Sequence, residues 1–409
     1  MKIAFLVPTK VQNNNSGVHV IKDITCLLNS LPNIDVTVFS IGGKSESIKL
    51  KTHYSEIVSK NSGFIGNTNI LIKLLDYFSL LLLKRSYSYS IRNTCGALTS
   101  KLIDYDPDII ITSYEFSDFI TNYKRYNKKI RIIALMDDPR QLSDAINSKL
   151  ALIKNKTFLY KIYKFVVRII AHSYLKMLKK KYTELVKNSV FIINFTTEGN
   201  EISKKTYKRY SSKFLVIPPP LPNFNIKPIH KLKVKKHARN ILFLGSCNYS
   251  PNKEAIQLIE NNIAPKLPKF NFILVGKNCR KYKDSNIESF GYAASLNKIL
   301  KKSDICISPI IHGGGIKTKL LDYIVAGKPI IGTSLAFEGY PVKDGINAII
   351  EDDIYRYPER IKLLAQSYKL RKKIAQNTKE IVLYFSTEKI AKQWINLFNK
   401  LTLPHSKNL

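Results

Sequence analysis

The sequence is poor in cysteine, in tryptophan and in acidic side chains. Among 409 residues there are five cysteines and one tryptophan, and 30 Asp and Glu stand against 66 Lys and Arg. The cysteines are scattered, and none belongs to a CxxC motif or a Cys/His cluster with metal-ligand spacing. This pattern argues against a zinc or disulfide-stapled module, so we expect free thiols in a reducing compartment, with no metal site and no cofactor.

Long hydrophobic runs are also missing. The longest apolar stretch, Ile70 to Leu83, is interrupted by Lys73 and Asp76 and is shorter than the roughly 20 residues that span a bilayer. The first residues, MKIAFLVPTK, have no basic region followed by an apolar core, and they read as a β-strand rather than a signal peptide. We therefore expect a soluble or peripheral protein on the cytoplasmic side of the membrane.

The basic excess is spread along the chain. The net charge of +36 divides almost evenly between residues 1–230 and 231–409, whereas a nucleic-acid-binding tract would concentrate it. We expect an anionic environment and no nucleic-acid partner. With 44% hydrophobic residues, 23 Tyr and 19 Phe, the chain can form packed cores, and its length suits two α/β domains.

The segment that organises the rest of the sequence begins with a short apolar run, Ile305 to Ile310. Three glycines, Gly313 to Gly315, follow it and precede an amphipathic run from Ile316 to Ala326. A second β-rich run, Pro329 to Thr333, comes next. Strand, glycine turn, helix and strand in this order predict a βαβ unit of a parallel sheet.

The glycine turn is a candidate anion site. A turn that opens a helix leaves backbone N–H groups unpaired, and Lys317 and Lys319 would add two cations in the first helical turn. A diphosphate would suit this arrangement. Glycine-rich turns are also common in α/β proteins without a ligand, and the two lysines could simply be solvated.

The same segment resembles the donor site of one enzyme family. Gly313–Gly315, Lys317 with Lys319, Asp322, Ala326 to Ile331 in the order AGKPII, Thr333 and Glu338-Gly339 follow the pattern of retaining group 1 (GT4-like) glycosyltransferases. The resemblance implies a GT-B fold of the α/β class, with two Rossmann-like domains whose parallel sheets face each other across a cleft. It places an acceptor-side domain at 1–222, a linker at 223–237 and a donor domain at 238–387, with the helix 388–409 crossing back.

The resemblance also assigns roles around the nucleotide sugar. Asp322 would bind the ribose hydroxyls, and Lys319 would act on the leaving diphosphate. Ser246 stands where many relatives have an arginine, and Gly314 stands where the E-x7-E pattern has its first glutamate. The donor-binding residues implied in this way are Gly245, Ser246, Phe290, Gly291, Tyr292, Gly313, Gly314, Gly315, Ile316, Lys317, Thr318, Lys319 and Asp322.

Residues near the acceptor are expected at the ends of early strands. Gly17 follows the first strand, and His19 stands on the helix after it, where a histidine is either structural or in contact with ligand. Asp137 and Asp138 follow the run IRIIALM, and carboxyl ends of parallel strands border the ligand crevice. We predict Asp138 as a catalytic carboxylate with Asp137 beside it; the alternative is that both cap a turn.

A basic, aromatic segment runs from Lys149 to Lys187. It holds eleven Lys and Arg and one acidic residue, Glu184. Such a composition is typical of a helix that lies on an anionic membrane surface, although a core helix with a basic outer face would look similar. The residues predicted to meet the membrane are Lys161, Lys164, Arg168, Lys179, Lys180 and Lys181.

These features together predict a glycosyltransferase that moves a sugar from a nucleotide-sugar donor to a glycan or glycolipid acceptor. By resemblance, the reaction would retain configuration, need no metal and serve cell-surface polysaccharide synthesis, such as capsule, O-antigen or lipopolysaccharide. The alternatives are a sugar-nucleotide epimerase of the same fold and an inactive nucleotide-sugar-binding subunit.

Overall fold

The structure, a computed structural model, describes residues 1–7, 16–41, 54–57, 89–136, 158–221, 234–279, 285–291 and 295–402. The chain divides into two compact units. The first contains Met1–Phe195, Gly199–Pro219 and Ala391–Leu409, and the second contains Thr196–Glu198 and Pro220–Ile390.

The first unit is built on a seven-stranded parallel sheet of order β3-β2-β1-β4-β5-β6-β7. The strands in the middle of the sheet are mostly apolar, because a parallel sheet is covered on both faces; Ile109, Ile110 and Ile111, for example, are fully buried. The strands are β1 Lys2–Val7, β2 Asp35–Ile41, β3 Tyr54–Ile57, β4 Ile109–Thr112, β5 Arg131–Leu135, β6 Phe191–Asn194 and β7 Phe214–Val216. The described helices are α1 Ser16–Asn29, α2 Tyr89–Tyr105, α3 Ser117–Tyr126, α4 Phe158–Asn188 and α5 Thr197–Thr206.

The second unit is built on a six-stranded parallel sheet of order β10-β9-β8-β11-β12-β13. The strands are β8 Asn240–Leu244, β9 Asn271–Val275, β10 Ile287–Phe290, β11 Ile305–Ser308, β12 Ile330–Gly332 and β13 Ile349–Ile350. The described helices are α6 Ser250–Leu258, α7 Leu296–Lys302, α8 Lys319–Val325, α9 Tyr357–Gln366, α10 Tyr368–Tyr384 and α11 Thr387–Thr402. From Ala391 onward, α11 belongs to the first unit.

The strand order creates a switch point in the second sheet. The chain moves outward from β8 through β9 to β10, and then returns to place β11 on the other side of β8. Connections after β8 and β11 therefore leave the sheet toward opposite faces, and ligands of open α/β sheets bind at the carboxyl ends of such a strand pair. This topology puts the segment after β11 where a site is expected.

Helix α8 is anchored to the sheet by a buried tyrosine. Leu320, Leu321, Tyr323 and Ile324 are buried, and the Tyr323 hydroxyl accepts a 2.7 Å hydrogen bond from the backbone N–H of Leu244 at the end of β8. Because the bond joins α8 to β8, it holds the turn that precedes α8 over the carboxyl end of the sheet.

The structure differs from the sequence expectation at the start of α8. The amphipathic run predicts a helix from Ile316, but the helix begins at Lys319. Gly315 has a φ of 77°, which a right-handed helix cannot contain, and residues 316–318 still belong to the turn that follows it. Lys317 consequently lies before the helix and Lys319 is its first residue.

Two further expectations concern the linker and the membrane. Residues 222–233 lie outside the described part of the chain, while Pro218, Pro219 and Pro220 before them are buried. Among the helices that the structure describes, none combines the length and the apolar character that crossing a bilayer requires.

Replacing Tyr323 with Phe should lower the free energy of unfolding by about 1–3 kcal/mol, because the buried N–H of Leu244 would lose its acceptor. Urea-induced unfolding measures this loss. Tyr355→Phe is the matched control, since its ring is 66% exposed and should change stability little. Equal losses in the two variants would contradict the anchoring role of Tyr323.

Candidate active site

The glycine turn between β11 and α8 is shaped by backbone conformations that favour glycine. Gly313 has a φ of 87° and Gly315 a φ of 77°, both in the left-handed region that other residues rarely adopt. A Cβ atom on Gly313 would lie 2.9 Å from Cγ of Pro251, in the first turn of α6. The turn therefore rests directly on the start of α6, and a side chain at 313 would separate the two.

Lys319 points from the first turn of α8 toward α6 and β8. Its Nζ donates a 2.6 Å hydrogen bond to Oδ1 of Asn252 and lies 4.1 Å from the centroid of the Phe243 ring. Burial, and then the nearby charge of Lys317, lower the pKa of Lys319 to about 7. An amide oxygen and a ring face stabilise the ammonium less than water does, so this lysine is poised to receive an anion.

The position of Asn252 depends on a glycine at the end of β8. A Cβ atom on Gly245 would lie 2.6 Å from Cγ of Asn252, so only the missing side chain lets the amide approach the strand. Asn252 is 9% exposed. Gly245, Asn252 and Lys319 thus form one chain of contacts from the sheet to α8.

Lys317 is held differently. Its Nζ donates to the backbone oxygen of Gly315 at 2.7 Å and lies 3.7 Å from a carboxylate oxygen of Glu338, and their side chains are 9% and 12% exposed. The Tyr340 hydroxyl donates to the Lys317 backbone oxygen at 2.9 Å. The turn therefore presents two enclosed cations whose positions are set by neighbouring elements of the same unit.

Asp322 shares the first turn of α8 with Lys319. Burial, and then the charge of Asp322, raise the pKa of Tyr340 well above its ordinary value. Burial also raises the pKa of Tyr323, with a smaller contribution from Asp322. Both phenols therefore remain protonated around this carboxylate. An anionic residue beside two neutral hydroxyl groups can accept hydrogen bonds from a diol.

Thr333 is hydrogen-bonded to the chain just before the glycine turn. Its hydroxyl donates to the backbone oxygen of Ile310, the last apolar residue before the turn, and accepts from the backbone N–H of Ala336 at 3.0 Å. The threonine at the end of β12 thereby ties the segment after β12 to the segment after β11.

The structure places the other donor-side residues predicted from sequence in different surroundings. Gly245, Gly313 and Lys319 converge on the first turn of α6, as described above, while Ile316 packs against a core cluster of the second unit. Ser246 faces the neighbouring loop, where its hydroxyl donates to the Lys277 backbone oxygen at 3.3 Å. Gly314 is buried, Thr318 and Phe290 are partly buried, and Gly291 is exposed; Tyr292 lies outside the described residues.

The structure says less about the acceptor-side predictions. Gly17 and His19 lie in α1, but their surroundings are outside the described part. Asp137 and Asp138 follow the described end of β5 and also lie outside it. These assignments stay predictions.

The structure describes the surroundings of only some of the α4 residues that were predicted to meet the membrane. The side chains of Lys161, Lys164 and Arg168 are outside the described part. Lys179 and Lys180 are exposed. Lys181 lies 3.3 Å from Asp118 of α3, with its side chain 15% exposed, so it turns toward the protein.

Three residues of the site were not singled out by sequence reasoning: Phe243, Asn252 and Tyr340. Asn252 follows Pro251 at the start of α6, and no rule of spacing pairs it with a lysine 67 positions away. Phe243 reads as an ordinary core residue of β8. Their contacts with Lys319 become visible only once the fold brings β8, α6 and α8 together.

Comparison with known proteins bears on this site directly. Residues 238–366 match the family model described as glycosyl transferases group 1. This segment is therefore similar to the group 1 glycosyl transferases. It contains the glycine turn, both lysines, Asp322 and Asn252. None of the curated proteins compared matches the sequence.

Solved structures resemble the whole chain. Sucrose-phosphate synthase from Thermosynechococcus elongatus superposes with a TM-score of 0.69 at 13% identity, covering 98% of this chain and 99% of its own. HepE from Anabaena, in complex with UDP and glucose, gives 0.62 at 12% identity, covering 98% and 99%. The lipopolysaccharide outer core galactosyltransferase WaaB gives 0.58 at 12% identity, covering 98% and 100%. At these identities the likeness shows the fold, which is GT-B with two Rossmann-like units, as the sequence predicted.

Replacing Gly313 with Ala should destabilise the second unit more than the same change at Gly345. Gly345 also has a positive φ, 68°, but an added Cβ there meets no atom within 4 Å. Gly345→Ala should cost about 1–2 kcal/mol from backbone strain alone, and Gly313→Ala should cost more because Pro251 must also shift. Urea-induced unfolding of both variants gives the difference, and identical values would show that the turn does not rest on α6.

Proposed function

We propose that this protein is a glycosyltransferase that takes its sugar from a nucleotide-diphosphate sugar. The observation that carries the proposal is the partly buried ammonium of Lys319, which is hydrogen-bonded to Asn252 and lies on the Phe243 ring. It stands beside a glycine turn in which Gly313 and Gly315 have positive φ angles. The group 1 match of the same segment supports it.

The leaving diphosphate gains negative charge as the bond to the sugar breaks. Fixed positive charge and backbone N–H groups lower the energy of that charge most where water is excluded. Lys319 and Lys317 supply two cations, and the turn 313–318 supplies N–H groups. Asp322 binds the ribose hydroxyls, since a carboxylate accepts two hydrogen bonds. We propose further that the reaction retains configuration and needs no metal.

A uridine nucleotide is the first donor to test. HepE, which shares the fold, has been crystallised with UDP and with UDP-glucose, and this supports a sugar nucleotide of the same chemical class. For the acceptor, we propose a glycan or glycolipid intermediate of cell-surface polysaccharide synthesis. Asp138 and Asp137, with Gly17 and His19, are the residues that we assign to its side of the reaction.

We also propose that α4 rests on an anionic membrane surface at the cytoplasmic side. Phe165 and Ile169 are 64% and 42% exposed and lie one helical turn apart on the same face. Lys176, Lys179 and Lys180 extend the exposed part of the helix with positive charge. Exposed apolar side chains beside basic ones suit the boundary between lipid headgroups and acyl chains.

Donor binding should depend on pH through Lys319. Because its pKa is about 7 without an anion, and a diphosphate favours the charged form, binding at pH 8 should take up a proton. Affinity should fall on the order of ten-fold between pH 6.5 and 8.5. Calorimetry in buffers of different ionisation enthalpy measures the uptake, with UDP-glucose as the first probe, because its diphosphate has no group that titrates in this range.

Substitution of Lys319 distinguishes a specific role of this lysine in donor binding from a general effect of positive charge. Lys319→Met should abolish both the proton uptake and most of the rise in Tm that the nucleotide sugar produces. Lys373→Met removes an exposed lysine of α10 and should change neither. If no nucleotide sugar in a panel raises Tm, the proposal fails.

A labelled donor distinguishes transfer from the two alternatives. A glycosyltransferase should release the nucleoside diphosphate and move the label to an acceptor, or slowly to water. An epimerase would return the label in an isomeric nucleotide sugar, and a binding subunit would return the donor unchanged. Either of these results would replace the proposed activity.

Membrane binding should weaken when the charge of α4 is reversed. Lys179→Glu with Lys180→Glu should reduce sedimentation with vesicles of anionic phospholipid by an order of magnitude or more, because each basic residue contributes about 1 kcal/mol at such a surface. Lys372→Glu with Lys373→Glu makes the same change in charge on exposed positions of α10. If both double variants lost the same amount of vesicle binding, the effect would come from net charge alone. That result would contradict a docking role for α4.

A further inference from the structure

Two cysteines meet beside the group 1 site, where the loops after β8 and β9 lie side by side. Cys247 follows Ser246 in the first loop, and Cys279 stands in the second, 32 positions later. Their sulfur atoms are 3.4 Å apart. Both thiols are free, and neither residue is fully buried. A small reagent in solution can therefore reach the pair.

The two loops are held together by more than the sulfur contact. The backbone N–H of Cys247 donates to the Lys277 oxygen at 3.0 Å, and the side-chain amide of Asn278 donates to that of Asn248 at 2.6 Å. A Cβ atom on Gly276 would lie 2.0 Å from the Gly245 backbone oxygen. The close approach of the sulfurs is therefore built into the backbone on either side of them.

We infer that Cys247 and Cys279 form a dithiol modification site, which a low-molecular-weight disulfide of the glutathione class converts into an intramolecular disulfide. A disulfide has its sulfur atoms about 2.05 Å apart, so the pair must close by about 1.4 Å. Rotations about the side-chain torsions of two partly buried cysteines can provide a movement of this size.

The exchange proceeds in two steps that balance. The thiolate of Cys247 attacks the small disulfide, forms a mixed disulfide and expels one small thiolate. The thiolate of Cys279 then attacks the Cys247 sulfur and expels the second. Two protein thiols are oxidised, one small disulfide is reduced to two thiols, and the two protons of the protein go to the released thiolates.

The order of attack follows from the surroundings of Cys279. Burial, and then the hydrogen bond and charge of Cys247, raise the pKa of Cys279 to about 12, so this thiol stays protonated at first. Once Cys247 carries a mixed disulfide, its negative charge is gone and Cys279 ionises more readily. The remaining cysteines with described side chains offer no such pair, since Cys306 is fully buried in β11 and Cys26 stands on α1 in the other unit.

The new bond would join the loops that hold Gly245 and Ser246. A cross-link between residues 32 positions apart restricts the unfolded chain more than the folded one, in which the loops are already joined, and should stabilise the domain. The modification would also stiffen one wall of the candidate donor site.

The test is to incubate the full-length protein with oxidised glutathione and map its peptides by mass spectrometry without reduction. We expect a cross-linked Cys247–Cys279 peptide that has lost two hydrogens, and a Tm several degrees higher that returns to its starting value after dithiothreitol. Cys279→Ser should stop at a glutathione adduct on Cys247. Cys26→Ser, the matched control, should behave like the unchanged protein.

Two results would overturn the inference. One is that the unchanged protein carries only mixed disulfides, or none, when Cys279→Ser is glutathionylated under the same conditions. The other is that the cross-link forms but lowers the Tm, because a bond that strains the loops would not belong to a site arranged for it. If either serine variant fails to fold, the peptide map of the unchanged protein still decides the question, because it shows directly whether Cys247 and Cys279 are cross-linked.

Discussion

The candidate site of the second unit depends on one electrostatic constraint, which is that a partly buried ammonium group meets neutral partners in place of water. Lys319 meets an amide oxygen and an aromatic face, and its lowered pKa reflects what that environment costs. Such a position persists only where surrounding structure enforces it. Gly245 lets Asn252 approach, Tyr323 fixes α8 to β8, and the glycine turn seats the helix start on α6.

The switch in strand order explains why these residues can meet at all. Residues after β8 and after β11 are distant in sequence, but β8 and β11 are neighbours in the sheet. The same edge brings the loop after β9 against the loop after β8, and there the two cysteines come together. A candidate anion site and a candidate redox site are thus both consequences of one sheet topology.

Under the proposed function, positive charge would have two different uses in this protein. In the turn, Lys317 and Lys319 are enclosed and individually placed, so each has a specific chemical role in the proposed reaction. On α4, Lys179 and Lys180 are exposed and would act collectively on a diffuse anionic surface. The even distribution of charge along the sequence is compatible with both uses, because composition does not distinguish an enclosed cation from a solvated one.

The sequence by itself determined the fold class, and it marked the segment that carries the candidate site. Continuous apolar runs, the glycine triplet and the AGKPII pattern are local signals, and each marks a strand or turn without reference to distant residues. Local patterns were less accurate at the start of α8, because the turn that contains Gly315 extends three residues into the apolar period before the helix begins at Lys319.

Only the tertiary structure decided which groups face Lys319, that Lys181 turns inward to Asp118, and that Cys247 lies beside Cys279. These are contacts between residues far apart in the chain. Their distances are set by how strands and helices stack, and no periodicity within a single segment encodes that stacking.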